Sequence, residues 1–365
     1  MQDILKLNSI SKTALPVLDG YNLTDSSVSP VGILVRSFNM AEYVAPTSLL
    51  AIARAGAGVN NIPHADFAKL GICVFNTPGA NANAVKELVI AYLLLGARNL
   101  AEAVNWASTL SGDDVPKQVE KGKGAFSGNE ITGKTLCVLG LGAIGRKVAI
   151  AANALGMEVV GYDPYISSTA KAEIPFVTIF DKKEFAYQNA DFITLHMPMT
   201  ADTKNMINKD TLLQMKDGVI IINAARGELV NTADIVVALA DKKVRKYVTD
   251  FPDSACIGVN GIVAVPHLGA STEEAEDNCA VMAAEELKDY IENGNIKNSV
   301  NMPSLCVKKS AAHRLSIISV EGAALKVDGI SATKNGLTYT IVDSDNVIDA
   351  SSLTAQGIIK ARNVY

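Results

Sequence analysis

Two kinds of hydrophobic pattern alternate along the chain. Short apolar runs at Val31–Val35, Leu50–Ala53 and Ile72–Phe75, each bounded by Gly, Pro or polar residues, predict strands. From about Ala84 to Ser108 runs a helical pattern, apolar on several faces and interrupted only by Gly96, which predicts a helix buried at an interface. Residues 111–133 are polar and Gly-rich and predict a loop at a domain junction. A second series then opens at Thr135–Leu139. Val159–Tyr162, Phe192–Leu195, Val219–Asn223 and Ile262–Val265 repeat its continuous apolar character, with helical segments between them. Strands buried on both faces that alternate with helices predict parallel sheets in an α/β fold. Ser271 and Glu274 form a capping-box signature for a last long helix, which Gly294 ends. After Met302-Pro303 the texture changes, and Leu315–Val320, Leu337–Asp343 and Ile358–Val364 predict the strands of a compact α+β tail.

Composition narrows the class. The chain has 365 residues, 48% apolar and 19% charged, enough for two domains and a small third at roughly 150 residues each. Its charge is 33 − 38 = −5, and no basic stripe is visible, so neither nucleic acid nor an anionic membrane is an expected partner. Five widely spaced cysteines (Cys73, Cys137, Cys256, Cys279, Cys306) without a C-x-x-C point to reduced thiols in a cytoplasmic protein and to no metal site. The first residues carry no secretory pattern, and no window approaches 18 uninterrupted apolar residues, so a soluble protein is expected.

The strongest local motif is Val138-Leu-Gly-Leu-Gly-Ala-Ile-Gly145, in which Gly140, Gly142 and Gly145 spell G-x-G-x-x-G between a buried strand and a helical run. The first Gly permits the tight turn and the second lets backbone amides approach a pyrophosphate. The third lets helix and strand pack closely, with the helix N-terminus facing the anion. Eighteen residues beyond Gly145, Asp163 ends the next strand. A carboxylate there accepts bonds from ribose hydroxyls and repels a 2′-phosphate, and Pro164-Tyr165 offers no Arg to hold one. NAD is therefore expected over NADP.

Few residues suit proton or hydride chemistry. His64 and His313 read as surface or structural positions. His196, at the end of a buried strand, should line the cofactor cleft, with a structural role and a cofactor contact both open. His267 lies in Val265-Pro-His-Leu-Gly-Ala-Ser271, past the last strand of the sheet, where α/β folds place ligands and where a His is suited to take a hydroxyl proton. Arg226, in Ile222-Asn-Ala-Ala-Arg-Gly227, also follows a buried strand; either a substrate carboxylate or a structural ion pair would satisfy it.

Taken together, ARAGAGVNNI (Ala53–Ile62), NTPGANANAVKEL (Asn76–Leu88), GLGAIG, YDP, HMP, NAARG and PHLGAST resemble the landmark segments of the D-2-hydroxyacid dehydrogenase family, in order and spacing over about residues 30–300. The first two segments and GAST are most similar to the branch that oxidises 3-phospho-D-glycerate to 3-phosphooxypyruvate. The resemblance implies a Rossmann-type doubly wound NAD-binding domain (residues 99–271) inserted in a flavodoxin-like substrate domain (1–98 and 272–302), clasped by the two long helices, with the cofactor in the cleft between them. Residues 303–365 are similar to the small βαββαβ ACT regulatory domain that many of these enzymes carry for serine feedback. For the cofactor, the family pattern implies Gly140, Gly142, Ala143, Ile144 and Gly145 at the pyrophosphate, and Asp163 at the adenosine ribose. His196, Ala224, Ala225, Arg226, Asp250, His267 and Gly269 complete the cofactor set. For the substrate it implies Arg226 on the carboxylate and keto oxygen, His267 as acid/base, backbone donors around Ala55 and Gly56, and Arg36 and Arg54 on the phosphate. A homodimer or homotetramer is implied, with self-association around the apolar helix near Ala84–Leu100, and L-serine is an open effector.

Two departures from that pattern stand out. The family orients its catalytic His with a Glu, but counting forward from Arg226 puts Ala255 at that position, and no Glu lies in the loop. Either Asp253 takes the role, since a carboxylate on the His raises its basicity and fixes its tautomer, or the dyad is weakened. Between Val320 and Ile330 there is room for little more than one or two helical turns, in Glu321–Lys326, so the first helix of the tail is abbreviated and a serine site built on it is in doubt. Two other activities remain open: a glyoxylate or hydroxypyruvate reductase of the same class, and an NAD-sensing binding protein that has lost turnover.

Overall fold

Both apolar series form parallel sheets. The computed structural model describes residues 1–353 and 356–364; Thr354, Ala355 and Tyr365, which the expected tail spans, lie outside the described residues. The chain divides into two compact units, residues 1–81 with 272–365 and residues 82–271.

In the first unit, strands β1 (Gln2–Leu7), β2 (Tyr21–Thr24), β3 (Gly32–Val35), β4 (Ala51–Arg54) and β5 (Cys73–Phe75) pair in the parallel order β2-β1-β3-β4-β5. This is the flavodoxin-like order. Strands β1 and β2 were not visible as apolar runs, because they sit at the start and edge of the sheet and carry Asp3, Lys6 and Asn22 among their apolar residues. Helix α1 (His64–Lys69) leads into β5, and His64 opens that helix. On one face of the sheet, Ile4, Leu34, Ala51, Ala53 and Phe75 share a core with Ala280, Ala283, Ala284, Leu287 and Tyr290 of the long helix at Glu273–Asn293. That helix starts one residue later than its sequence signature suggests. Thr272 is the N-cap, its side chain accepting from the Ala275 amide at 3.1 Å, while the C-cap is Gly294 in left-handed conformation at φ 71°.

Glu286 of this helix is 6% exposed. One of its oxygens accepts from Asn298 Nδ2, and Oε2 has no partner. Burial pushes its carboxyl up from 4.5 to about 7. With a folded pKa above the unfolded one, the group supports folding below pH 4.5 and loses that contribution as pH rises through 7. Glu286→Gln should therefore raise stability by about 3 kcal/mol at pH 8, a gain that shrinks towards zero near pH 4.5. Denaturation midpoints from pH 5 to 8 check this, and parallel profiles for the two proteins would refute it.

In the second unit, β6 (Thr135–Leu139), β7 (Glu158–Tyr162), β8 (Thr178–Ile179), β9 (Phe192–Leu195), β10 (Val219–Asn223), β11 (Val244–Thr249) and β12 (Ile262–Ala264) form a seven-stranded sheet in the order β12-β11-β10-β9-β6-β7-β8, parallel throughout. The strand order reverses between β6 and β9, which is the Rossmann switch point. The expected helix over 84–108 is two helices, α2 (Ala82–Arg98) and α3 (Leu100–Ala107), broken at Asn99. Asn99 takes a left-handed φ of 50°, a conformation that Asn tolerates better than most residues. Val85, Val89, Tyr92, Leu93 and Ala97 of α2 are buried in the core of their own unit, and the exposed large apolar residues of the two helices are Leu94 on α2 and Leu100 and Val104 on α3. The expected loop at 111–133 contains α4 (Val115–Gly122) and a following 3-10 turn whose Phe126 stacks on Trp106 at 5.2 Å. Helices α5 (Ala143–Ala154), α6 (Ser168–Ala172), α7 (Lys183–Tyr187), α8 (Lys209–Leu213) and α9 (Thr232–Ala240) connect the strands; α10 is the long Glu273–Asn293 helix of the first unit.

The tail belongs to the first unit. Strands β13 (His313–Val320), β14 (Ile330–Lys334), β15 (Leu337–Ser344) and β16 (Ile358–Val364) form an antiparallel sheet in the order β14-β15-β13-β16. This is the strand order of a βαββαβ unit without its helical layer. Residues 321–329 form no helix, and among the described residues of the second connection the helical element is a 3-10 turn at Ala350–Ser352. Among the described residues the tail is thus an antiparallel β-sheet without the helices expected of an α+β element, and the first crossover, residues 321–329, is too short to carry an amphipathic helix across the sheet. Leu325, Val327, Ile348, Ala350 and Leu353 from the two crossovers pack against Leu315, Ile317 and Val342 on one face. The other face presents Ile318, Tyr339 and Ile341 to Leu287 and Tyr290 of α10.

Candidate active site

The glycine turn is built as its spacing requires. Gly140 adopts φ 94°, and a Cβ there would lie 2.6 Å from His196 O. A Cβ on Gly145 would lie 2.0 Å from Gly140 O, so only Gly lets α5 pack this closely. At Gly142 a Cβ would meet nothing within 4 Å, which leaves an open cradle above the N-terminus of α5. The amides of Gly142, Ala143 and Ile144 make no hydrogen bond there among the described residues. An open concavity lined with unpaired amides at a helix N-terminus suits a pyrophosphate. Asp163 holds the turn from the side: its Oδ2 accepts from the Leu141 amide at 2.8 Å and its Oδ1 from the Tyr165 amide at 2.9 Å.

His196 lies beside this turn. Its Nε2 is 2.9 Å from Thr194 Oγ1, its Nδ1 has no partner, and burial pulls its pKa down from 6.5 to about 3. The imidazole is therefore neutral at physiological pH and cannot act there as a proton-exchanging group.

At the carboxyl ends of β10, β11 and β12, a second cluster comes together. The Phe251 ring lies 4.4 Å from the His267 ring at 46°, and the Arg226 guanidinium carbon is 6.0 Å from the same Phe251 centroid. One aromatic ring thus touches both groups expected to carry chemistry. Beneath it, Asp250 is 1% exposed, with Oδ2 accepting from the Gly269 amide at 3.2 Å and Oδ1 unpartnered. Burial pushes the Asp250 carboxyl up, opposed by His267 and by the amides of Gly269 and Leu268. An orphaned acceptor this deeply buried suits a bound amide, as a nicotinamide carboxamide would supply. The residues present fit the dinucleotide at both ends.

Asp253 is not brought to His267. Its Oδ1 accepts from the Ala255 amide at 2.9 Å and the Cys256 amide at 3.1 Å, and its side chain also bonds Thr232. Among the described residues, no hydrogen bond or ion pair joins Asp253 to His267; the carboxyl on which His267 acts electrostatically is Asp250. The turn closes on itself because a short Asp side chain bonds the amides two and three residues on before it can reach outward.

Several supporting residues had no signal in the sequence. Asn223, fully buried, donates from Nδ2 to Arg226 O at 2.8 Å and accepts from the Ala225 amide at 3.1 Å, which shapes the turn carrying Ala224, Ala225 and Arg226. Thr249 Oγ1 donates to Asn223 O at 2.9 Å and accepts from the Phe251 amide at 3.0 Å, tying that turn to the Phe251 seat. The strand bearing Thr249 was hidden by Lys246, which is 3% exposed and paired with Glu102 at 2.7 Å and Asn99 at 2.8 Å.

In the first unit, Arg36 follows β3 and Arg54 ends β4, so the carboxyl ends of adjacent strands carry both guanidinium groups. Arg54 Nε donates to Arg36 O at 3.1 Å, and Arg36 Nη2 pairs with Glu276 Oε1 at 2.6 Å. Gly56, at φ 152°, carries the Arg54 guanidinium against its Cα; a Cβ there would fall 2.1 Å from Nη1. The Ala55 and Gly56 amides already donate to Val35 O and Arg54 O, both at 2.8 Å. Among the described residues, the unpartnered donors of this loop are one step further on, at Ala57, Gly58 and Val59.

Comparison with known proteins agrees with this geometry. Residues 90–269 match the family model described as D-isomer specific 2-hydroxyacid dehydrogenase, NAD binding domain. The chain is 37% identical over 267 residues to D-3-phosphoglycerate dehydrogenase of Methanocaldococcus jannaschii, a match covering 72% of this chain and 49% of that protein. It is 36% identical over 249 residues to hydroxypyruvate reductase of Thermotoga maritima, covering 66% of this chain and 77% of that one. Among solved structures, NAD+-bound 3-phosphoglycerate dehydrogenase of Entamoeba histolytica matches with a TM-score of 0.65 at 25% identity, over 82% of this chain and 98% of the other. The chain spans about half the length of the curated phosphoglycerate dehydrogenases it matches. No helix among the described residues is long and apolar enough to cross a membrane. On its matched segments and its NAD-binding domain, the chain belongs to the D-isomer specific 2-hydroxyacid dehydrogenases.

Proposed function

We propose that the chain is an NAD-dependent dehydrogenase that oxidises 3-phospho-D-glycerate to 3-phosphooxypyruvate, the first step of L-serine synthesis. The observation that carries the chemistry is the seating of Arg226 and His267 on one Phe251 ring, above the orphaned Asp250 oxygen. The phosphorylated substrate is supported by the two guanidinium groups at the ends of β3 and β4 and by the resemblance to the archaeal enzyme.

NAD, when bound, supplies the hydride acceptor for C2 of the hydroxy acid. His267 removes the hydroxyl proton and returns it in the reverse direction. Arg226 holds the carboxylate and stabilises the charge that develops on the oxygen. Gly142, Ala143 and Ile144 would offer their amides to the pyrophosphate, Asp163 would meet the ribose, and Asp250 would accept from the carboxamide. The amides of Ala57, Gly58 and Val59 are donors for the substrate carboxylate. Location in the cytoplasm is supported by five free cysteines. Self-association as a homodimer is supported by the 43% exposed Leu100 and 66% exposed Val104 on α3.

A second reading, reduction of hydroxypyruvate, is favoured by the Thermotoga relative. Purified protein mixed with NADH and either 3-phosphooxypyruvate, hydroxypyruvate or 2-oxoglutarate separates the two by loss of the reduced-cofactor absorbance. Fast oxidation with the phosphorylated acid alone is expected. Turnover confined to the unphosphorylated acids would transfer the assignment to the reductase, and tight NADH binding with no turnover on any of them would leave a binding protein.

A further inference from the structure

The two guanidinium groups at the ends of β3 and β4 are not equivalent. Arg54 is bound to backbone, donating to Arg36 O at the end of β3 and lying against the bare Cα of Gly56. Arg36 is held by a carboxylate: Glu276, in the first turn of α10, meets its Nη2 at 2.6 Å. The side chains are 37% and 42% exposed, so the pair can open to a ligand without unfolding anything around it. Asp277, the next residue, accepts from Ser11, and among the described residues Glu276 is the carboxylate paired with Arg36.

Glu276 therefore offsets the charge of Arg36 at this strand end. A phosphate arriving at this strand end meets a competitor already seated on Arg36, and must displace it or bind beside it. An unphosphorylated acid has no such contest, since its single carboxylate has the free amides of Ala57, Gly58 and Val59 a few residues from Arg54.

We propose that Glu276 is a specificity-determining residue, which offsets the charge of Arg36 and so sets how strongly the chain prefers a phosphorylated hydroxy acid over its unphosphorylated counterpart. The proposal rests on the reading of a hydroxy-acid site above, and concerns which acid is taken and not the chemistry done to it. Removing the competing carboxylate should favour the dianion selectively, because Coulomb attraction scales with ligand charge. A half-exposed ion pair of this kind corresponds to roughly a 2- to 5-fold change in binding.

Calorimetric titration of the wild-type chain, of Glu276→Gln and of Arg36→Gln/Glu276→Gln with 3-phosphoglycerate and with D-glycerate tests this without turnover. In Glu276→Gln the affinity ratio of phosphorylated to plain acid should rise about 2- to 5-fold, and the rise should vanish in the double variant. An equal gain for both acids, no gain for either, a gain that survives loss of Arg36, or no binding of either acid would overturn it. Assays of the wild-type chain with NADH and the keto acids report on the enzymatic reading separately. Silence there together with a shifted ratio would remove that reading and keep the role of Glu276.

Discussion

His267→Gln should lower kcat by about 10²- to 10⁴-fold while leaving NADH affinity near its original value. His267 is exposed on the loop after β12, its ring is fixed at 4.4 Å from Phe251, and none of the buried polar contacts of the sheet depends on it. Gln keeps most of the polar character but cannot exchange a proton near neutral pH, so the loss falls on proton transfer and not on binding. Asp253→Asn is the matched control. Its oxygen accepts from the Ala255 and Cys256 amides in its own turn, and Asn keeps an acceptor there, so kcat should move by no more than a few-fold. Stopped-flow reduction of 3-phosphooxypyruvate, with NADH binding followed by fluorescence, separates the two parameters. A His267→Gln enzyme with undiminished kcat would remove His267 as the acid/base. An Asp253→Asn enzyme as impaired as His267→Gln would put the carboxylate back in that role.

What could be read in the sequence was whatever is local. Gly140, Gly142 and Gly145 signal a dinucleotide turn because all three demands on the backbone fall within six residues. The long buried strands were visible as continuous apolar runs for the same reason. Elements whose logic spans the chain were not. β11 contains Arg245 and Lys246, which look like surface residues until Glu102 and Asn99, on and beside a distant helix, are known to neutralise Lys246. The Asn223–Thr249 bond that aligns the Arg226 turn with Phe251 joins residues 26 positions apart on neighbouring strands, and neither residue type implies the other. Glu276 lies 240 positions from Arg36, so the ion pair that qualifies Arg36 as a phosphate ligand had no trace in either segment. Asp253 shows the reverse hazard. It stood closest in sequence to the missing Glu, but side-chain bonding to the nearest amides decided its orientation.

The largest stability effect is expected at Arg314, which joins the tail sheet to the end of α10. This side chain is 1% exposed on β13. Its Nε and Nη2 donate to the two oxygens of Asp343 at 2.7 and 2.9 Å, and its Nη1 donates to Asn293 O at 2.8 Å and Val307 O at 2.9 Å. Arg362 adds bonds to Ile291 O and Tyr290 O, and Tyr339 Oη donates to Gly294 O at 2.6 Å. The tail thus bonds carbonyls at the end of α10, with Tyr290 O also accepting from the Gly294 amide at 3.0 Å, and two guanidinium groups sit at the negative end of its dipole. Arg314→Met removes four of these bonds and leaves Asp343 charged in a site built for its partner. The cost should be about 3–5 kcal/mol, and Tm of the first unit should fall by on the order of 10 °C. Arg314→Met/Asp343→Leu should recover much of that loss, since a buried pair replaced by apolar groups is far less costly than one broken. The hydrogen bond from Arg314 is also the main reason that the Asp343 carboxyl falls from 3.8 to about 2. A depressed carboxylate stabilises the fold above pH 3.8 and loses that contribution, about 2 kcal/mol, as pH falls through 2. Wild-type and Arg314→Met chains should therefore converge in stability under strong acid. Equal melting temperatures at pH 7 would show that the tail is not fastened through Arg314, and a constant difference down to pH 2 would assign the loss to packing and the carbonyl bonds instead of the Arg314–Asp343 pair.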